Sequence, residues 1–214
     1  DSLACEGCGL CARICPAQAI TMQPVVSGQW FNSTTRAGPM VHARLGIAAE
    51  NSGKLVSQIR QQALEVATAS QRELIIIDGS PGIGCPVIAS MTGCDLALAI
   101  TEPTVSGLHD LTRIAILAKH FGIPMVVALN KADLSAAGAA ELQSFCRSEA
   151  IPLVGQIPFD EAVVGAIVAG TTLVEHSNGP AATAVRALWN SVRKRLFSSS
   201  GSSNATTSSP EKKS

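Results

Sequence analysis

The stretch ELIIIDGSPGIG, residues 73–84, decides how the rest of the chain is read. Leu74 to Ile77 form an unbroken apolar run, Asp78 ends it, and the turn-forming residues Gly79-Ser80-Pro81-Gly82 follow. An apolar run without polar alternation reads as a strand covered on both faces, the kind found in parallel sheets flanked by helices. Three later runs repeat the pattern: DLALAI (95–100), PMVVALN (124–130) and IPLVGQI (151–157). Helical patterns begin between them near Gly107, Ala136 and Glu161, and a final amphipathic helix runs from about Pro180 to Phe197. Upstream, SGKLVSQIRQQALEVATAS (52–70) is an amphipathic helix with Leu55, Val56, Ile59, Ala63, Leu64 and Val66 on its apolar side. QWFNS (29–33) and MVHARL (40–45) read as short extended segments. The expected fold is α/β, a mostly parallel sheet with helices on both faces.

In such sheets ligands bind at the carboxyl ends of the strands. Four ends are informative here: Asp78 with its glycines, Thr101-Glu102-Pro103, Asn130-Lys131-Ala132-Asp133, and Pro158-Phe159-Asp160. Together they suggest one nucleotide site. An acid closing an apolar strand is the Walker B pattern, in which Asp78 orients magnesium-bound water and Gly82 offers an amide to a γ-phosphate. The plain alternative is that Asp78 caps the next helix. Asn130 presents a donor–acceptor pair matching the adenine edge. Asn130-Lys131-Ala132-Asp133 also has the N-K-x-D spacing of GTPases, or is simply a turn in which Asp133 caps a helix. No G-x-x-x-x-G-K-[ST] or K-G-G-x-G-K-[ST] loop to cradle phosphates occurs in the sequence.

A second signal sits near the start. Cys5, Cys8, Cys11 and Cys15, followed by Pro16, match the bacterial ferredoxin run C-x-x-C-x-x-C-x-x-x-C-P. Steps of three residues let one tight loop wrap thiolates around an iron–sulfur cube, and Gly7 and Gly9 let amides approach the cluster sulfurs. Zinc sites more often join two C-x-x-C pairs through a longer spacer. In two-cluster ferredoxins the fourth Cys serves the other cluster. Cys5, Cys8 and Cys11 are thus expected to hold one cube, and Cys15 to reach a second whose remaining ligands lie upstream of Asp1, in a product read as amino-terminally truncated.

Composition closes off other classes. With 16 basic and 16 acidic residues, no net field argues for a nucleic-acid partner. The longest apolar stretch, Ala162 to Gly170, is too short to span a bilayer. Seven unevenly spread cysteines fit a reducing compartment, here the cytoplasm, better than a secreted disulfide framework. The expected domains are a cluster segment (1–26), a nucleotide-binding core (27–197) and a polar, disordered tail (198–214).

TRAGPMVHARLGIAAENSGKLV (35–56), LIIIDGSPGIGCPVIASMTGCDLALAITEPTVSGLHDL (74–111), NKADL (130–134) and IPFDEAVVGAIVAG (157–170) closely resemble MinD-type P-loop ATPases that carry an inserted ferredoxin domain. The resemblance runs from about Ala4 to Glu175. It implies a Walker A loop and a first cluster run ahead of the present segment, ATP rather than GTP with Mg2+, two [4Fe–4S] clusters and a homodimer. Asp78, Pro81 and Gly82 match its Walker B and switch segment, Asn130 its base-contacting position, and Pro158 and Asp160 its base-pocket loop. Ser80 departs from it, standing where many members have Pro.

The function expected from these features is an ATPase that couples nucleotide state to electron transfer or cluster handling, with a redox or cluster-accepting protein partner. A non-enzymatic ferredoxin-like carrier with a degenerate nucleotide core is the alternative, and a GTPase a weaker one. Without a phosphate loop, the segment alone is expected to be inactive. Cys85 is expected to be a small buried residue rather than a redox sensor. Cys94 and Cys146 are expected in the core or on helix faces, and His42 and Arg44 in the segment joining cluster domain to core.

Overall fold

The computed structural model describes residues 8–23, 26, 28–45 and 53–198. Cys5 and the tail beyond 198 lie outside the described residues. Two compact units follow one another, one ending at Thr92 and the other beginning at Gly93.

In the first unit, a short helix α1 (Leu10–Ile14) precedes an antiparallel hairpin, β1 (Gly28–Thr35) and β2 (Gly38–Leu45). Gly38, at φ 132, closes the turn in backbone space that L side chains avoid. The two expected extended segments are thus one long hairpin. Phe31 stands opposite His42, their rings stacked at 5.3 Å, and Ser33 Oγ lies 3.0 Å from His42 Nε2. His42 is therefore held by hairpin packing.

Helix α2 (Gly53–Ala69) matches the amphipathic segment and packs against α3 (Cys85–Met91), which begins with Pro86 in its first turn. Gly53 lets the two meet, because a Cβ there would sit 3.0 Å from the Cys85 carbonyl oxygen. Arg60 on α2 donates to the carbonyls of Ala89 (2.5 Å) and Thr92 (2.6 Å), tying α2 to the end of α3.

The second unit holds a three-stranded parallel sheet, β3 (Ala97–Thr101), β4 (Met125–Asn130) and β5 (Leu153–Ile157), with β4 central. Helix α4 (Val105–His120) links β3 to β4, and α5 (Ala136–Ser148) links β4 to β5. After β5 come α6 (Ala162–Val168), α7 (Leu173–His176) and the long α8 (Pro180–Ser198). Val127 and Leu129 pack with Leu111, Ala139, Leu142 and Cys146 on the α4/α5 side, while Ala128 packs with Ile157, Ala181, Leu188 and Val192 on the α8 side. That two-sided burial is why β4 reads as an unbroken apolar run. On β5, Val154 is an extra residue: Val127 pairs with Leu153, but Ala128 pairs with Gly155. Gly155 in turn admits α8, since a Cβ there would lie 3.0 Å from Leu188 Cδ1.

Three of the four expected parallel strands are present. The fourth, Leu74 to Asp78, is in no strand, and Ile76 is 77% exposed. An apolar run becomes a strand only where neighbours supply hydrogen-bond partners, and none pairs with it among the described residues. Helices α1, α3 and α7 were not located from the sequence. At 4 to 7 residues, they span at most two turns and give periodicity little to work with.

Candidate functional site

The described part of the cysteine segment is a compact turn. Gly9, at φ 73, caps the start of α1, so Cys8 precedes the cap, Cys11 is the second residue of the helix, and Cys15 follows its end in extended backbone. Cys8 and Cys11 are exposed and Cys15 half-buried. Gln18, at φ 48, turns the chain so that its amide reaches the Cys15 carbonyl and the Ala19 amide donates to Cys15 Sγ at 3.4 Å. An amide pointed at a thiolate sulfur is the arrangement that tunes iron–sulfur ligands. The donor set, exposed thiols at ferredoxin spacing with that amide, fits a cluster. Among the described residues no three His, Cys, Asp or Glu side chains gather as a metal site. On the crossed-ligand scheme, only Cys8 and Cys11 of one cube's three ligands fall within the described residues.

The other candidate lies at the carboxyl edge of the parallel sheet. After β3, Thr101 Oγ1 donates to the Gly107 carbonyl and the Thr104 side chain caps α4 by accepting from Gly107 N. These contacts fix the turn that carries Glu102. After β4, Lys131 takes a left-handed φ of 50, a strained conformation for a non-glycine residue. Its Nζ lies 2.8 Å from Glu102 Oε1, and Asn130 Nδ2 donates to the same oxygen at 3.4 Å. Asp133 does not cap α5, a role Ser135 fills by accepting from Gly138 N. Instead Asp133 Oδ1 accepts from the Phe159 amide at 2.7 Å, 26 residues away, while the Ala132 amide donates to the Ile157 carbonyl at 2.9 Å. The loops after β4 and β5 are thereby sewn together.

Asp160 is used structurally. Its Oδ1 accepts from Ala162 N at the start of α6, and its Oδ2 from Ala181 N at the start of α8. Negative charge at helix starts is favourable. Asn130, Pro158 and Asp160 thus share one sheet edge with Glu102, Lys131, Asp133 and Phe159. Glu102 lies in a strand end that the sequence marks, Thr101-Glu102-Pro103, but its pairing with Lys131 and Asn130 is not legible there. Its position at the end of a strand neighbouring Asn130 was the available signal.

Asp78, Pro81 and Gly82 belong to the first unit. Asp78 is exposed and does not cap α3, whose N-cap is Gly84. Gly82, at φ 88 with open space where a Cβ would be, occupies a position only glycine adopts easily. Cys85 is exposed rather than buried, because the first turn of α3 presents it outward. Cys94 is half-buried, and Cys146 is in the core, where burial pushes its thiol pKa up, partly offset by Arg147.

Residues 1–21 match the 4Fe-4S binding domain family. An uncharacterized protein of Methanocaldococcus jannaschii, MJ0578, is 34% identical over 97 residues, covering 45% of this chain and 34% of that protein. An uncharacterized ATP-binding protein of the same organism, MJ0547, is 25% identical over 114 residues, covering 53% and 43%. The chain therefore spans less than half the length of either relative. Among solved structures, the septum site-determining protein MinD of Pyrococcus horikoshii, complexed with Mg-ADP, superposes with a TM-score of 0.54 at 20% identity, covering 69% of this chain and 58% of that one. A ParA family ATPase from Chlorobium tepidum gives 0.52 at 20%, covering 64% and 56%. The chain thus joins an amino-terminal segment similar to the 4Fe-4S binding domain family to a core with the fold of the MinD and ParA ATPases.

Proposed function

We propose that this chain is the cluster-binding and base-binding portion of an iron–sulfur ATPase, in which ATP binding and hydrolysis are coupled to electron transfer or cluster handling. The observation that supports it most is the pairing, in one chain, of a 4Fe-4S segment with a MinD/ParA-type sheet whose carboxyl edge carries Asn130 beside the Pro158–Asp160 loop. In this reading Cys5, Cys8 and Cys11 hold one [4Fe–4S] cluster and Cys15 contributes to a second. Asn130 contacts adenine, Pro158 and Phe159 line the base, and Asp160 keeps that loop in place through α6 and α8. Asp78 holds the water shell of Mg2+, and Gly82 offers its amide to the terminal phosphate. Bound Mg2+ supplies charge neutralisation at the β- and γ-phosphates, and the clusters supply one-electron chemistry. The phosphate-cradling loop is placed in sequence outside this segment, and the assembly is a cytoplasmic homodimer serving a redox or cluster-accepting partner.

The absence of a phosphate-loop pattern from the sequence favours a second reading, a ferredoxin-like carrier built on a non-catalytic core. Steady-state ATPase and iron assays on the full-length gene product separate the two. Asp78→Asn keeps the shape and removes the charge, so turnover falls by at least about a hundredfold, the scale of one well-placed electrostatic group. Iron content stays unchanged, since the thiolates lie in a separate local turn. Wild-type turnover in the variant refutes the role of Asp78, and an inactive wild type favours the carrier.

A further inference from the structure

Glu102 shares one carboxylate oxygen between two donors. Lys131 Nζ lies 2.8 Å from Oε1 and Asn130 Nδ2 lies 3.4 Å from it. A carboxylate oxygen facing these two donors only accepts hydrogen bonds. Asn130 must therefore turn its NH2 group toward Glu102. Turned the other way, its carbonyl oxygen would face a negative oxygen with no proton between them.

We infer that Glu102 is a positioning residue that fixes the carboxamide of Asn130 in one orientation and thereby selects adenine over guanine. The inference rests on the reading of Asn130 as the base contact. With one Nδ2 hydrogen held by Glu102, Asn130 presents its oxygen and its second N–H outward, an acceptor beside a donor. Adenine offers the complementary pair, the N6 amino donor beside a ring-nitrogen acceptor, the bidentate match Asn makes with this base. Guanine places an acceptor, O6, where adenine has its amine, so the held oxygen of Asn130 meets another oxygen. Recognising guanine would require Asn130 to flip against Glu102.

Asp133 supports the same discrimination independently. In the N-K-x-D reading its carboxylate would be needed for the guanine N1–H and N2 amine, yet Oδ1 already accepts from the Phe159 amide at 2.7 Å. One oxygen of the pair is committed to holding the neighbouring loop.

The test is ligand-observed NMR titration of the 214-residue chain with AMP and with GMP, which probe the base without relying on a triphosphate cradle. Wild type is expected to prefer AMP by about tenfold, the discrimination of one bidentate contact. Glu102→Ala frees the carboxamide to rotate, and the preference is expected to fall to within about twofold while both nucleotides still bind. Glu102→Gln keeps a carbonyl oxygen facing Lys131 and Asn130, and so is expected to retain the preference although the ion pair is gone. Thermal unfolding of all three proteins checks that the fold is intact. Retention of the wild-type preference in Glu102→Ala, or its loss in Glu102→Gln, overturns the role of Glu102 and leaves the base site standing. A wild type that binds neither nucleotide, or favours GMP, overturns the base-site reading and this inference with it.

Discussion

Leu74-Ile75-Ile76-Ile77 and Val126-Val127-Ala128-Leu129 are nearly interchangeable as sequence, yet they end in opposite environments. The second is β4, hydrogen-bonded on both edges and buried on both faces. The first pairs with no described strand, and two of its residues, Ile75 and Ile76, are exposed. Hydrophobicity shows that a run favours burial. Whether it becomes a strand depends on which neighbours bring hydrogen-bond partners and covering helices. The two units differ in the same way. The second is organised around a dry sheet, whereas the described part of the first buries few apolar side chains and relies on the Arg60 clamp between α2 and α3.

Thiol chemistry offers the largest contrast. Cys146 is 2% exposed and its pKa is raised by burial, so it reacts only when the second unit opens. Cys85 stands on the surface of the first. Peptide mapping after a timed pulse of iodoacetamide is expected to show Cys85 labelled at least about a thousandfold faster, since opening a packed core costs several kcal/mol. Comparable rates would mean that the second unit is not the dry, closed one.

Core truncation comes next in size. Leu142 is fully buried against β4, and Leu142→Ala is expected to destabilise by about 2–5 kcal/mol. Ile76→Ala is expected to stay within about 0.5 kcal/mol. Urea unfolding reads both, followed by Trp189 fluorescence for Leu142 and by Trp30 fluorescence for Ile76, each with the other tryptophan replaced by Phe. An Ile76→Ala cost equal to that of Leu142→Ala would erase the distinction between the two runs.

A loss smaller than that of Leu142→Ala sharpens the comparison from the other side. Arg60→Ala removes two charge-assisted hydrogen bonds and leaves two helix-end carbonyls without that donor. A loss of about 1.5–3 kcal/mol is expected in the first unit's transition alone. A cost shared by the Trp189 transition would show that the units unfold together.

The elements legible in the sequence are those whose own periodicity or burial carries the signal. The runs of β3, β4 and β5, the amphipathic face of α2 and the starts of α4, α5, α6 and α8 fall where the pattern places them. The ferredoxin spacing of the cysteines was legible because ligand spacing is itself local. Long-range pairings were not. Nothing near Asp133 announces that it will accept from Phe159, and its position two residues before Ser135 made helix capping the simpler expectation. Glu102 stands in a marked strand end, yet its pairing with Lys131 is illegible for a similar reason, because it depends on β3 lying beside β4.

The extra residue on β5 acts as a change of phase. Val154 and Gly155 both lie toward α8, the first packed into that cluster and the second beneath Leu188. Without the shift, alternation would turn Gln156 toward α8 and send Ile157 to the opposite layer. Instead Ile157 stands across from Asn130, its carbonyl receives the Ala132 amide, and the following residues emerge where Phe159 can reach Asp133. The alignment of the Pro158–Asp160 loop with Asn130 therefore depends on counting one residue twice, four positions upstream of Pro158. Deleting Val154 would set Leu153, Gly155, Gln156 and Ile157 one-to-one against Val127 to Asn130, whereas ironing out the bulge with Val154 in place would leave the two halves of the edge out of step.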